Sequence, residues 1–191
     1  MIDNPYSCFY YGDVGSGKTL RGVMDAYFDF CSNRQIWSNI DTLKLPQVYI
    51  TAYDLINIII DPNMNISNYP PKTIIIDETH TQADSRNSAS WINRHLTYFF
   101  SQSRKMGFNV IYISQFLTGY DIRMRQLTKE VIRCIRKVNR DGELRGFEYI
   151  VWDTIEQKLT KRYTIPVELA KWFYQLYDTY GKIRPVEVIT S

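Results

Sequence analysis

The chain has 191 residues, 45% of them hydrophobic, with a net charge of +3. That is enough for one well-buried domain spanning residues 1–191, no composition shift marks a boundary, and the charge is too small to single out a nucleic-acid binder. Cys8, Cys31 and Cys134, with two histidines, read as reduced buried thiols rather than a zinc set; with no membrane-length apolar run and no signal pattern, a soluble cytoplasmic protein is expected.

The first element is the apolar run Ser7-Cys8-Phe9-Tyr10-Tyr11, a buried strand. Directly after it stands Gly12-Asp13-Val14-Gly15-Ser16-Gly17-Lys18-Thr19, a full match to the phosphate-binding loop G-x-x-x-x-G-K-[ST]. Glycines let successive N–H groups turn inward around phosphates, Lys18 brings a cation to the β and γ oxygens, and the Thr19 hydroxyl suits Mg²⁺. A helix starting at Gly17 adds its positive dipole end. Leu20, Val23, Met24, Tyr27 and Phe28 then recur at helical spacing, the strand-loop-helix setting such a loop needs. Nucleoside triphosphate binding follows from these residues. ATP and GTP stay undistinguished, because base contacts lie outside the loop.

Gln35 to Ile40 reads as a second strand, Thr51 to Ile60 as a helix, and Asp61 to Pro71 as a loop. Thr73-Ile74-Ile75-Ile76 is a β-branched run suited to a central parallel strand covered on both faces, and it ends in Asp77-Glu78, a Walker B pattern. A strand lying beside the phosphate loop would deliver Asp77 to the Mg²⁺ shell at the carboxyl edge of the sheet. Glu78, one residue on, is placed to orient and deprotonate an attacking water.

From Ala89 to Lys105 the pattern is helical. Ile92, Leu96, Phe99, Phe100 and Ser103 form the inward stripe, and Arg94, Thr97, Ser101 and Arg104 the polar face. Asn109 to Ile113 is a short strand ending in Ser114-Gln115, which sets an amide at the same edge as Asp77. Glu130 to Asn139 and Gly146 to Asp153 flank the turn Asp141-Gly142, Thr160 to Ile165 is a further strand, and an antiparallel hairpin appended to the parallel sheet is expected. A local basic excess between Asp121 and Arg145, including Arg123, Arg133 and Arg136, suits either phosphate tracking on DNA or a solvated strand face. A last helix runs from Pro166 to about Tyr180 with Leu169, Phe173, Leu176 and Tyr177 inward, closed by Gly181.

The order of parts, namely phosphate loop, strand ending Ser38-Asn39-Ile40, Asp77-Glu78, the arginine of Ser103-Arg104-Lys105-Met106-Gly107 and a strand ending in Gln115, resembles the FtsK/HerA superfamily of ring ATPases. Within it the chain looks most similar to genome-packaging ATPases of membrane-containing icosahedral viruses, including archaeal ones. The resemblance covers about residues 5 to 125 and implies an α/β, RecA-like P-loop NTPase of the ASCE class, with a mostly parallel central sheet flanked by helices. It also implies a homo-oligomeric ring, hexameric or pentameric, that hydrolyses ATP at subunit interfaces, drives double-stranded DNA through its centre and meets capsid or portal-vertex proteins.

By position, the resemblance gives Lys18 and residues 12 to 19 the phosphates, Thr19 and Asp77 the metal, Glu78 the water and Gln115 the γ-phosphate. Arg104 becomes the finger acting on a neighbour's ATP, with Arg94, Arg86 and Arg123 as competitors. A second reading is similarity to the cytoplasmic ATPase part of zonula-occludens-toxin-like filamentous phage assembly proteins, which share the strand end and the Arg-then-Gln spacing and normally continue into a membrane span. A small-molecule kinase, which the Asp77-Glu78 pair argues against, and a nucleotide-gated module that hydrolyses nothing complete the alternatives.

Overall fold

The computed structural model describes residues 5–60, 71–77, 91–117 and 126–178. In chain order these form β1 (Ser7–Tyr11), α1 (Lys18–Cys31), β2 (Gln35–Ser38), β3 (Gln47–Tyr49), α2 (Ala52–Ile60), β4 (Lys72–Ile76), α3 (Trp91–Ser103), β5 (Asn109–Ser114), β6 (Glu130–Val138), β7 (Leu144–Asp153), β8 (Lys158–Pro166) and α4 (Val167–Phe173), which tightens into a 3₁₀ turn over Tyr174–Leu176. The strands make one sheet in the order β3-β2-β4-β5-β1-β6-β7-β8, with β3 and β8 at its edges. From β3 to β6 every pairing is parallel, and β7 and β8 add on antiparallel. This is the expected α/β fold, a mostly parallel sheet with an appended antiparallel unit.

The central strands are buried on both faces, so period-2 alternation sorts their side chains into two cores. Cys8, Tyr10, Ile75, Ile111 and Ile113 face the layer of α1 and α4. Phe9, Ile74, Ile76, Val110 and Tyr112 face the other layer, where Leu96, Phe99 and Phe100 of α3 and Leu55 and Ile56 of α2 pack. Phe100 meets Tyr112 edge to face at 4.7 Å between centroids; each such fully buried large side chain stabilises the fold by roughly 1.5–3 kcal/mol. At the amino edge one carboxylate gathers three elements. Asp29 of α1 accepts hydrogen bonds from Tyr6 (2.8 Å), Thr73 (2.6 Å) and Asn109 (2.8 Å), which pins the starts of β1, β4 and β5 to the end of α1.

Three expectations need correction. The strand bearing Asp77 does not lie beside the phosphate-loop strand, because β5 is inserted between β1 and β4; burial on both faces marks β4 and β5 as central but carries no information on their order. The last α-helix is shorter than expected, and Leu169 is 45% exposed while Ala170, Phe173 and Tyr177 make the buried stripe. Cys31 is exposed, whereas Cys8 and Cys134 are buried. The three-residue β3, with Val48 and Tyr49 exposed, is too short to show in the sequence. Among the described residues no helix is long and apolar enough to cross a membrane.

Under α1, a cavity of about 410 Å³ is lined by Tyr10, Arg21, Asp25, Lys161 and Tyr163 among others. Arg21 pairs with Asp25 at 2.7 Å, with the Asp25 side chain 14% exposed, and the Tyr10 hydroxyl donates to the same carboxylate. Burial raises Asp25 from 3.8 to about 6, against the opposing pull of the Arg21 guanidinium and the Tyr10 hydroxyl. The folded chain therefore holds this proton more tightly than the unfolded one. The stability it contributes is complete below pH 3.8 and is lost as pH rises through 6. Urea unfolding at pH 4 and pH 7 should show the Asp25→Asn chain gaining on wild-type by at most about 3 kcal/mol over that window; a constant difference would place the carboxylate in an ordinary solvated setting.

Candidate active site

The phosphate loop is shaped by what lies beneath it. Gly12 has φ +147°, and a Cβ there would stand 2.4 Å from the Cys134 carbonyl oxygen of β6. Gly17, with φ +87°, would put a Cβ 2.5 Å from the Phe147 ring. Both positions need a residue without a side chain, for conformation and for space. Tyr149 of β7 donates its hydroxyl to the Gly17 carbonyl at 3.0 Å. An aromatic brace from the antiparallel unit thus supports the turn into α1.

α1 begins with no side chain capping it. The Ser16 hydroxyl is buried and has no hydrogen-bond partner among the described residues. Lys18 donates to the Gly12 and Asp13 carbonyls at 2.9 and 2.8 Å. An uncapped helix start, an orphaned hydroxyl and an ammonium held at the mouth of the loop make a cradle for an anion of phosphate size.

At the carboxyl edge of β4, Asp77 is 7% exposed and accepts a hydrogen bond from Thr19 at 2.8 Å. A carboxylate and a hydroxyl side by side are the hard oxygen donors Mg²⁺ takes when phosphate and water complete its shell, so the pair fits that ion. What sets Asp77 in place is Asn39. Its amide donates to the Asp77 carbonyl at 2.9 Å and accepts from the Asp77 N–H at 2.8 Å. Asn39 thus ties the end of β2 to the end of β4. Asn39→Ala would leave two buried backbone groups unpaired and is expected to destabilise the chain by about 1–3 kcal/mol and let Asp77 drift. The measurement is Mg²⁺ dependence of nucleotide affinity beside urea unfolding; loss of stability with unchanged Mg²⁺ dependence would limit Asn39 to holding the fold.

Gln115 directly follows β5 and shares with Gly12, Asp13, Val14 and Ser16 a cleft of about 510 Å³. Because β5 is the inserted strand, this amide sits between the phosphate loop and Asp77 along the sheet. Arg94 and Arg104 are exposed. Arg104 lies in the turn between α3 and β5, at the amino edge of the sheet and away from the cleft. Glu78, Arg86 and Arg123 lie outside the described residues. The same cleft is lined by Arg133 and Arg136 of β6, which the sequence offered as part of a DNA-tracking stretch. Asn39 was visible as a strand end without a partner, and Phe147 and Tyr149 carry no local signal, since their contact with the loop spans more than a hundred residues of chain.

The profile of the zonular occludens toxin (Zot) family matches residues 7–180. No curated protein matches by sequence. Among solved structures, the N-terminal domain of zonular occludens toxin from Neisseria meningitidis is similar, with 21% identity, a TM-score of 0.62, and 91% of this chain and 99% of that one covered. The genome packaging NTPase B204 of Sulfolobus turreted icosahedral virus 2, in complex with AMPPCP, shares 11% identity at a TM-score of 0.58, covering 86% and 98%. The flagellar accessory protein FlaH from Methanocaldococcus jannaschii shares 13% at 0.57, covering 87% and 88%. The expected likeness to archaeal viral packaging ATPases is borne out in the fold, and the family match falls on the zonula-occludens-toxin-like reading kept beside it.

Proposed function

The chain belongs to the zonular occludens toxin family, and from that membership and the cradle at its carboxyl edge we propose that it is an ATP-hydrolysing motor that translocates double-stranded DNA and packages a viral genome into a preformed capsid. The observation that carries the hydrolase part is the Thr19 to Asp77 contact at the mouth of a loop whose lysine is already turned inward. Lys18 would exchange its two carbonyl partners for the β and γ oxygens of ATP, and the N–H groups of residues 12 to 19 would hold the phosphates. Thr19 and Asp77 would hold Mg²⁺, which neutralises charge on the β and γ phosphates when bound. Glu78 would orient the attacking water, Gln115 would sense the γ-phosphate, and Arg104 would act on the nucleotide of the next subunit in a ring. Work in the host cytoplasm, with capsid or portal-vertex proteins as partners, belongs to the same reading.

The family match also fits a second version, in which the same ATPase serves assembly and extrusion of a filamentous virion. Phosphate release from ATP, followed across protein concentrations with no DNA, duplex DNA or single-stranded DNA, separates the two. A rate per subunit that climbs with concentration and with duplex is the expected result. Stimulation by single strands alone would move the assignment to filament assembly; a flat, DNA-indifferent rate would remove the motor, and phosphorylated nucleoside without free phosphate would make it a kinase. In mixtures of Arg104→Ala and Lys18→Ala subunits, each inactive alone, activity should reappear, because the Arg104→Ala subunit keeps its phosphate loop and a Lys18→Ala neighbour supplies the arginine. Failure of the two variants to complement would exclude a trans arginine.

A further inference from the structure

β1 ends at Tyr11, opposite Arg133, while β6 runs on to Val138. The phosphate loop therefore rests against an overhang of β6, as the close approach of Gly12 to the Cys134 carbonyl shows. Loop residues Gly12, Asp13 and Val14 form one wall of the cleft beside the loop, and Arg133, Ile135 and Arg136 form the other. Strand alternation sends Arg133 and Arg136 to opposite faces of β6, so they bracket the overhang.

Both arginines are exposed and neither has an ion pair among the described residues. Four cations of the same antiparallel unit are matched, Lys137 and Arg162 on Glu148, Arg145 on Glu143 and Lys158 on Glu156, while Arg140 and Lys161, which do not line the cleft, have no ion pair among the described residues. Burial pushes the Tyr174 hydroxyl up and the charge of Arg136 draws it down, so the two groups are electrostatic neighbours.

The sheet order gives the direction in which a nucleotide must lie. Thr19 and Asp77 would hold a metal, and with it the γ end, on the β4 side of the loop, whereas β6 flanks β1 on the opposite side. A triphosphate laid along the loop then points its α-phosphate and nucleoside toward β6. Resting on the nucleotide reading above, we propose that Arg133 and Arg136 bind the α-phosphate and ribose of the nucleotide held by their own subunit, with Ile135 between them as apolar support, and do not track DNA. Guanidinium forks suit a phosphate edge and a ribose hydroxyl, and charge-assisted bonds of this kind carry much of an anion's affinity.

The test compares ATP with inorganic pyrophosphate, which keeps the part held by the loop and lacks the nucleoside and α-phosphate. Both are titrated with MgCl₂ into wild-type, Arg133→Ala, Arg136→Ala and Lys18→Ala chains. Each β6 variant should bind ATP about tenfold more weakly and pyrophosphate as wild-type does, while Lys18→Ala weakens both. Arg136→Lys, which keeps the charge and loses the fork, should recover part of the ATP affinity and so excludes a folding defect. Equal weakening of ATP and pyrophosphate would reduce the pair to a diffuse electrostatic field. Unchanged ATP affinity with a shallower salt dependence of DNA binding would return both residues to DNA. If wild-type binds neither ATP nor pyrophosphate, the nucleotide reading itself fails, an outcome distinct from the others.

Discussion

Lys18→Ala is expected to lower triphosphate hydrolysis by on the order of 10²- to 10³-fold while the fold persists. Lys18 is 8% exposed, and its ammonium donates to the Gly12 and Asp13 carbonyls. Gly12 is half-buried and Asp13 exposed, so water can take over those carbonyls when the amine is removed, at a cost of about 1 kcal/mol. The nucleotide has no such substitute. It loses the cation that the loop itself supplies where negative charge gathers during γ-phosphate departure. Phosphate release and urea unfolding on the same preparation check both halves; hydrolysis at the wild-type rate would detach the loop from the activity. Lys18→Arg should not restore the rate, since a planar fork cannot occupy the place of a compact ammonium between two carbonyls.

Asp77→Asn should produce a loss of similar size by a different route, on the order of 10² or more. Asparagine keeps the shape and an oxygen that can accept from Thr19, and Asn39 grips the backbone of residue 77 rather than its side chain. Charge is therefore removed with little disturbance of position. ATP affinity in EDTA should match wild-type, and the gain in affinity on adding Mg²⁺ should disappear. A variant whose EDTA affinity falls as well would mean that Asp77 shapes the loop rather than serving the metal. Because Thr19 and Asp77 act on one ion, Thr19→Ala on top of Asp77→Asn should cost far less than the sum of the two single changes.

Much of this site is local, and local features were legible. The phosphate loop sits between a strand and a helix that its flanking residues announce, and the Ile74 to Ile76 run reveals a strand buried on both faces. What escaped depends on pairing over long distances. Nothing in Asn109 to Ser114 says that this strand enters between β1 and β4, yet that insertion places Gln115 between the phosphate loop and Asp77. Asn39 looked like an ordinary polar strand end until β2 was seen beside β4. The basic run around Arg133 was read as one patch because composition averages over it, whereas alternation and ion pairing set Lys137, matched to Glu148, and Arg145, matched to Glu143, apart from Arg133 and Arg136, which line the cleft beside the phosphate loop. The final helix was over-extended because Leu169 and Leu176 fit a helical stripe, although the bend into the 3₁₀ turn and the packing of Ala170 and Phe173 chose another face.

The sheet terminates at both margins in strands that are poor templates for another chain. β3 offers three residues, and β8 carries Lys158, Lys161 and Arg162 and closes on Pro166. Short length, clustered cations and a proline all oppose edge-to-edge strand addition. Among the described residues, then, neither margin of the sheet invites a second copy to extend it by backbone pairing, so any contact between copies through these edges would have to be made by side chains.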